Sequence, residues 1–228
     1  MRLSASSPEA PAAALVDLDG TAISVSSERE LLLHLLRRGD LGLGSILRFL
    51  LAYATHPGLT LRLGKGWNRT YLRGLRAGLL GKRCDEVSAG LKGHIRPDVA
   101  GLLEEWSSAG TRVVLLTASL LPLARGLAEA LSAEEVVASR PAEEDGVLTG
   151  SLHGPRPWGR RKAELASQLL ERLSVSPDDA AALGDSWSDR HILRLCGNAI
   201  AVSPDRRLGR LAERSGWLVF EGRHTPWA

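Results

Sequence analysis

Two carboxylates separated by one residue, followed by a glycine and a hydroxyl, stand near the start of the chain as Asp17-Leu18-Asp19-Gly20-Thr21. Residues two apart on a strand share a face, but a turn starting here lets the two acids take separate roles. One can attack phosphorus and carry an aspartyl-phosphate. The other can protonate the leaving oxygen and later activate water. Gly20 permits the tight turn and is expected to leave its N–H near a phosphate. Taken alone, the pentapeptide also reads as a solvated Asp-Gly turn.

Three later elements supply what such chemistry needs. Thr117-Ala118-Ser119 offers a hydroxyl and backbone N–H groups at the start of a helix, an anion site; Ser119 reads equally as the cap of that helix. Lys162, the only lysine after Lys92, sits at another helix start, where a cation gains nothing from the helix dipole. An anion waiting there would explain it, although Arg160 and Arg161 are competing cations. Gly184-Asp185-Ser186-Trp187-Ser188-Asp189 places two acids four apart. Together with Asp17 they form an all-oxygen donor set of the kind Mg²⁺ prefers. The plainer alternative has Asp185 capping a helix and Asp189 in its first turn.

The elements that must position these residues follow from pattern. Ala12 to Leu18 is a short apolar run ending in Asp-Gly, a buried strand and sharp turn. Helical stretches follow: Leu31, Leu32, Leu35 and Leu36 form one stripe, and Ile46 to Ala54 and Trp67 to Leu80 form two more, with glycines between them. After Pro97 the pattern becomes alternating. A helix carries Val99, Leu102, Leu103 and Trp106, and a strand runs from Thr111 to Leu116. A helix is expected over 120–131, a short strand at Val136-Val137, and a hairpin at Asp145-Gly146 leading into Val147-Leu148. A helix from about Arg160 to Leu173, strands at Ala180–Leu183, Ile200–Val202 and Leu218-Val219, and a helix capped by Ser203-Pro204 complete the chain. Such alternation predicts an α/β fold with a doubly wound, mainly parallel Rossmann-like sheet. Residues 1–21 and 96–228 are expected to form this core and 22–95 an inserted helical cap. Ligands of such sheets bind outside the carboxyl ends of the strands, where Asp17, Thr117 and Asp185 all fall.

Composition narrows the partners. Of 29 basic residues 25 are arginine. Residues 22–95 hold twelve basic and five acidic side chains, whereas the remainder has an acidic excess of four. That asymmetry favours an anionic ligand near the insert over nucleic acid, for which no recognition motif is present. Cys84 and Cys196 have no metal-ligand spacing and make no disulfide framework, which fits a reduced cytoplasm. Met1 to Ala14 lacks the apolar core of a signal peptide. The apolar run Ile46 to Ala54 is too short to span a bilayer, leaving a peripheral contact with an anionic membrane open.

Asp-x-Asp-Gly-Thr, Thr-Ala-Ser, a lysine at a helix start and Gly-Asp-x-x-x-Asp, in this order, resemble the four motifs of the haloacid dehalogenase superfamily. A helical insert after the first motif is similar to the cap of its phosphoserine phosphatase-like branch. The resemblance implies a phosphatase with Asp17 as nucleophile and Asp19 as general acid and base. Gly20, Thr117, Ala118 and Lys162 would hold the phosphate. Asp17, the Asp19 carbonyl oxygen and Asp185 would ligate Mg²⁺, with Asp189 assisting. Asp19 separates the chain from the dehalogenases, which lack that acid. The branch's substrate-reading glutamate is expected nine residues after the nucleophile, where this chain has Ser26; Glu28 and Glu30 are off that spacing. A small phosphorylated metabolite is the expected substrate, with a lipid phosphate at a membrane surface or a non-enzymatic phosphate-binding module as alternatives. Trp187 and Trp67 are candidates to border the pocket.

Overall fold

The computed structural model describes residues 9–56, 58 and 68–221. The strands are β1 (Ala13–Val16), β2 (Arg112–Leu120), β3 (Glu135–Glu144), β4 (Val147–His153), β5 (Ala180–Gly184), β6 (Asn198–Val202) and β7 (Leu218–Phe220). They form one sheet in the order β4-β3-β2-β1-β5-β6-β7. All pairings are parallel except β3 with β4. β1 and β5 are short apolar runs buried along their whole length, as strands covered on both faces must be. The chain leaves β1 toward β2 on one side and later adds β5 on the other, so β1 sits at the switch point of the sheet. Register finishes the alignment: Val16 is paired with both Leu115 and Leu183. Asp17, Thr117 and Asp185 therefore leave the sheet close together.

The helices are α1 (Ser27–Arg37), α2 (Leu43–Thr55), α3 (Ala77–Leu91), α4 (Pro97–Ser108), α5 (Leu121–Ala128), α6 (Arg160–Leu173), α7 (Arg190–Leu193) and α8 (Arg206–Ser215). Alternation along β1 divides the apolar interior in two. Ala14 and Val16 join the core that includes residues of α1, α3, α4 and α5, while Ala13 and Leu15 join the core built on α6, α7 and α8. Leu31 and Leu35 of α1 are fully buried, each contributing about 2 kcal/mol.

Several sequence expectations shift. No helix runs from Trp67 to Leu80: Trp67 lies outside the described residues, a single 3₁₀ turn covers Thr70–Leu72, and the long helix starts at Ala77. Gly74, at φ +90°, breaks the intervening chain, and residues 74–77 pair with β4 instead. The Gly74 N–H donates to the Leu148 carbonyl at 2.9 Å, Leu148 N–H to Leu75 at 2.8 Å, and Ala77 N–H to Gly146 at 2.9 Å. β2 runs on through Ser119, so α5 begins one residue late and Ser119 is not its cap. Asp205, not Ser203, caps α8, accepting from the N–H groups of Arg207 and Leu208.

The segment between β1 and α4 joins the sheet layer through a narrow two-stranded neck. Ser24 N–H donates to the His94 carbonyl and Arg96 N–H to the Ala22 carbonyl, both at 2.9 Å, with Ile23 bridged to Ile95.

Candidate active site

β1 ends at Val16 because the next residue must leave the sheet to turn: Ala22 N–H returns to the Asp17 carbonyl and Ile23 N–H to Leu18. Leu18 anchors this loop, fully buried between the two acids. Asp17 is left with its carboxylate at the carboxyl end of β1 and only 8% exposed. Lys162, in the first turn of α6, reaches it: Nζ lies 2.7 Å from Asp17 Oδ1 and 2.7 Å from Asp189 Oδ1. Arg161 instead pairs with Glu164 on the surface, so the geometry separates Lys162 from its neighbours.

Asp185 leaves β5 and accepts from the Thr21 hydroxyl at 3.2 Å. Asp189 divides its two oxygens, one to Lys162 and the other to the N–H and hydroxyl of Ser186. The capping role considered for Asp185 thus belongs to Ser186, with Asp189 in the following turn closing the capping box while also holding the lysine. Gly20 has φ +84°, and a Cβ there would collide with the Asp185 carboxylate. Its N–H does not face a phosphate as expected but donates to the Ile23 carbonyl at 2.8 Å. Gly20 serves the site by being small.

Asp19 faces the other way. Its Oδ1 accepts the N–H of Ser27 at the start of α1, at 2.9 Å. The Ser27 hydroxyl in turn meets that of Ser119 at 2.5 Å. Thr117 is buried, and its Oγ1 accepts the Ser119 N–H at 3.1 Å, leaving the hydroxyl proton available to an anion. The two acids of the first motif therefore diverge, one toward Lys162 and one toward the helical insert.

The electrostatics follow from burial. Removal from water pushes Asp17 up to about 7, with Lys162 pulling it down and Asp189 pushing further up. Burial, reinforced by Asp17 and Asp189, pushes Asp185 up to about 8. Asp19 is pushed up to about 6 by burial, moderated by its bonds from Ser27. Burial disfavours the Lys162 ammonium, but Asp17 and Asp189 outweigh it and hold that group above its ordinary value. Asp17, Asp185 and Asp189 bring one oxygen each to within 4.8 Å of one another. Three carboxylates face one ammonium. That excess of negative charge, presented by oxygen donors alone, fits a hard divalent cation such as Mg²⁺.

Glu28, Arg69 and Arg156, not assigned from sequence, also converge here. Arg69 is buried, ion-paired to Glu28 and bonded to the Ala118 carbonyl at 2.9 Å. Arg156 lies among the same charges: burial first and then Arg69 lower it to about 10, opposed by Glu28, Asp17 and Asp19. Glu28 lies two residues beyond the expected position, which Ser26 occupies as the residue that precedes α1. The signal for Arg69 was its place in a basic insert; Arg156 had only its nearness to Lys162. Trp187 is stacked between the Arg190 and Arg207 guanidinium groups, at 4.6 and 4.4 Å. It lines a side groove with Trp158, Arg160 and His191, a groove whose lining does not include Asp17.

A family model for haloacid dehalogenase-like hydrolases matches residues 14–194. An inhibition of morphological differentiation protein from Streptomyces azureus is 29% identical over 94% of this chain and 79% of its own length. The phosphoserine phosphatase SerB1 of Mycobacterium tuberculosis is 34% identical over 50% of this chain, a match spanning 37% of that protein. A protein of unknown function from Bordetella pertussis Tohama I superposes with a TM-score of 0.79 at 22% identity, covering 92% of this chain and 98% of that one.

Proposed function

We propose, from the premise that the chain belongs to the haloacid dehalogenase-like hydrolases, that it hydrolyses a small phosphate monoester with Asp17 as nucleophile. The observation that carries this reading is the divergence of the two acids: Asp17 against Lys162 at 2.7 Å, Asp19 against the Ser27 N–H at 2.9 Å. Asp17 Oδ attacks phosphorus while Asp19, its proton affinity raised by burial, gives a proton to the departing ester oxygen. A water then attacks the aspartyl-phosphate, Asp19 takes its proton, and inorganic phosphate leaves with Asp17 restored. Lys162, the Thr117 hydroxyl and the N–H of Ala118 hold the phosphoryl oxygens through both steps. Asp17, Asp185 and the Asp19 carbonyl would hold Mg²⁺, with Asp189 assisting. When bound, the ion would neutralise charge on the acids and on the phosphoryl group.

Residues 22–95 act as the cap in this reading, a role supported by the neck at Ala22–Ser24 and His94–Arg96. Glu28, Arg69 and Arg156 give the cleft a charged wall beyond the phosphate, suited to a small metabolite that carries polar or charged substituents. Phosphoserine phosphatase, the name borne by the mycobacterial relative, marks the kind of substrate such a wall suits. The test is Asp17→Asn. It keeps the fold, loses about 10⁶-fold in turnover of a phosphate ester, and yields no phosphoenzyme on acid quench, whereas the unmodified chain does. Turnover by the variant near the original rate would overturn the mechanism, once reversion by deamidation is excluded by mass spectrometry.

A further inference from the structure

From sequence, the apolar run of α2 reads either as a contact with an anionic membrane or as the inner seam of the cap. Only part of it lies on that seam. Ile46, Phe49 and Tyr53 face inward, with the Phe49 ring edge-on to Tyr53 and Tyr71 at 5.2 and 5.3 Å. Asn68 Nδ2 donates to the Phe49 carbonyl and fixes this side. An adjoining face carries Leu43 (87% exposed), Leu47 (58%), Leu50 (58%) and Leu51 (51%), and no residue of the helix is buried. A soluble amphipathic helix places polar residues on its second face. Four adjacent exposed leucines form a patch of the kind that marks an interaction surface.

Charge decides what fits it. From Leu41 to Arg83 the chain has no Asp or Glu and eight Arg and Lys residues, of which Arg69 is buried against Glu28 and Arg83 is paired with Asp40 and Glu86. Two of these flank α2: Arg48, on the helix, donates to the carbonyl of Arg73, whose own side chain is exposed. Arg62 and Lys65 lie outside the described residues. A second copy of this chain would bring like charges together as its leucines met. An uncharged apolar partner would leave the basic run unused. An anionic lipid surface answers both features, because leucines enter the acyl boundary while guanidinium groups meet the head groups. None of the described helices is long and apolar enough to cross a membrane, so the contact would be peripheral.

We infer that the outer face of α2, through Leu43, Leu47, Leu50 and Leu51 with Arg48 and Arg73, docks this protein on an anionic lipid surface. The inference goes beyond the catalytic reading and does not depend on it. The test is sedimentation of the full chain with phosphatidylcholine vesicles, with or without phosphatidylglycerol. Binding is expected only with the anionic lipid, weakening about tenfold or more between low and physiological salt. Leu47→Gln with Leu51→Gln is expected to reduce partitioning about 30-fold. Arg48→Gln with Arg73→Gln should reduce it about 30-fold. Circular dichroism and turnover of a soluble phosphate ester should be unchanged in both pairs. Absence of binding to anionic vesicles at low salt would overturn the proposal, as would binding indifferent to the leucine pair. A lipid-free dimer that the leucine pair dissociates, seen by sedimentation velocity, would give the face to a second copy instead.

Discussion

Replacing Arg69 by Met tests whether the wall over the cleft is built as described. The side chain is 1% exposed and that of its partner Glu28 19%, so the change strands a carboxylate that burial already pushes upward. The least costly response is for Glu28 to take up a proton. Holding a carboxyl with an ordinary value of 4.5 protonated at about pH 7.5 costs about 4 kcal/mol, which sets the ceiling. Loss of the bond to the Ala118 carbonyl adds about 1 kcal/mol. Relief of guanidinium desolvation and the apolar contacts of Met offset part of both. The expected loss is about 2–4 kcal/mol, read from urea unfolding. Its sign with pH is fixed: in the variant the folded-state value of Glu28 lies above the unfolded one. The deficit is therefore fully developed above that folded value and closes as pH falls toward 4.5. Glu28→Gln in the same chain should recover more than half of it. A deficit equal at about pH 7.5 and pH 5, or a glutamine whose cost simply adds to the first, would refute the account.

Lys162→Ala should lower kcat by about 10²–10³ while Arg161→Ala leaves it within about twofold, since Arg161 only pairs with Glu164 on the surface; equal losses would mean the wrong cation was assigned. Mg²⁺ should raise the melting temperature and a chelator abolish both that rise and turnover, with the metal effect weakening at low pH as the raised Asp17 and Asp185 take up protons. Asp185→Asn should melt higher than the unmodified chain without metal, through relief of carboxylate repulsion, and show no response to Mg²⁺ in scanning calorimetry. Gly20→Ala should impair Mg²⁺ binding by displacing the Asp185 carboxylate. Gly74→Ala, also at positive φ but with open space around its Cβ position, should cost only about 1 kcal/mol of stability.

Much of the core was legible because its strands are short, apolar and closed by turns that hold the clustered acids. β1 into Asp17 and β5 into Asp185 are read from a single pattern, in which the apolar run ends where the acid cluster begins. The helical insert was less legible for a definite reason. The expected helix stops at Leu80, whereas α3 runs on through Gly81 and Gly90 to Leu91, and residues 74–77, which look continuous with a helix, bond to the hairpin. Burial could not be assigned to α2 either, since a helix apolar on two faces gives no periodicity that distinguishes the packed aromatics from the exposed leucines. Glu28, Arg69 and Arg156 are far apart in sequence, and only the closure of the insert onto the sheet brings them together. Gly20 meets the acid cluster in a way the sequence did not show: its N–H is satisfied locally, and a Cβ there would collide with the Asp185 carboxylate.

The backbone ladder between residues 74–77 and β4 has a mechanical consequence. β4 is the last strand on its side of the sheet, and an open edge of this kind invites pairing between molecules. Here the insert occupies it with three hydrogen bonds, so the same contact that shields the edge also ties the insert to the β3–β4 hairpin. The insert cannot pivot about the neck at Ile23 and Ile95 as an independent body without breaking that ladder. Either it stays shut and substrate enters between side chains, or insert and hairpin travel as one lever. In the second case the bend falls at the register irregularity between Pro141 and Glu143, where the β3–β4 pairing is already interrupted. The fulcrum would then lie within the β3–β4 hairpin rather than at the neck.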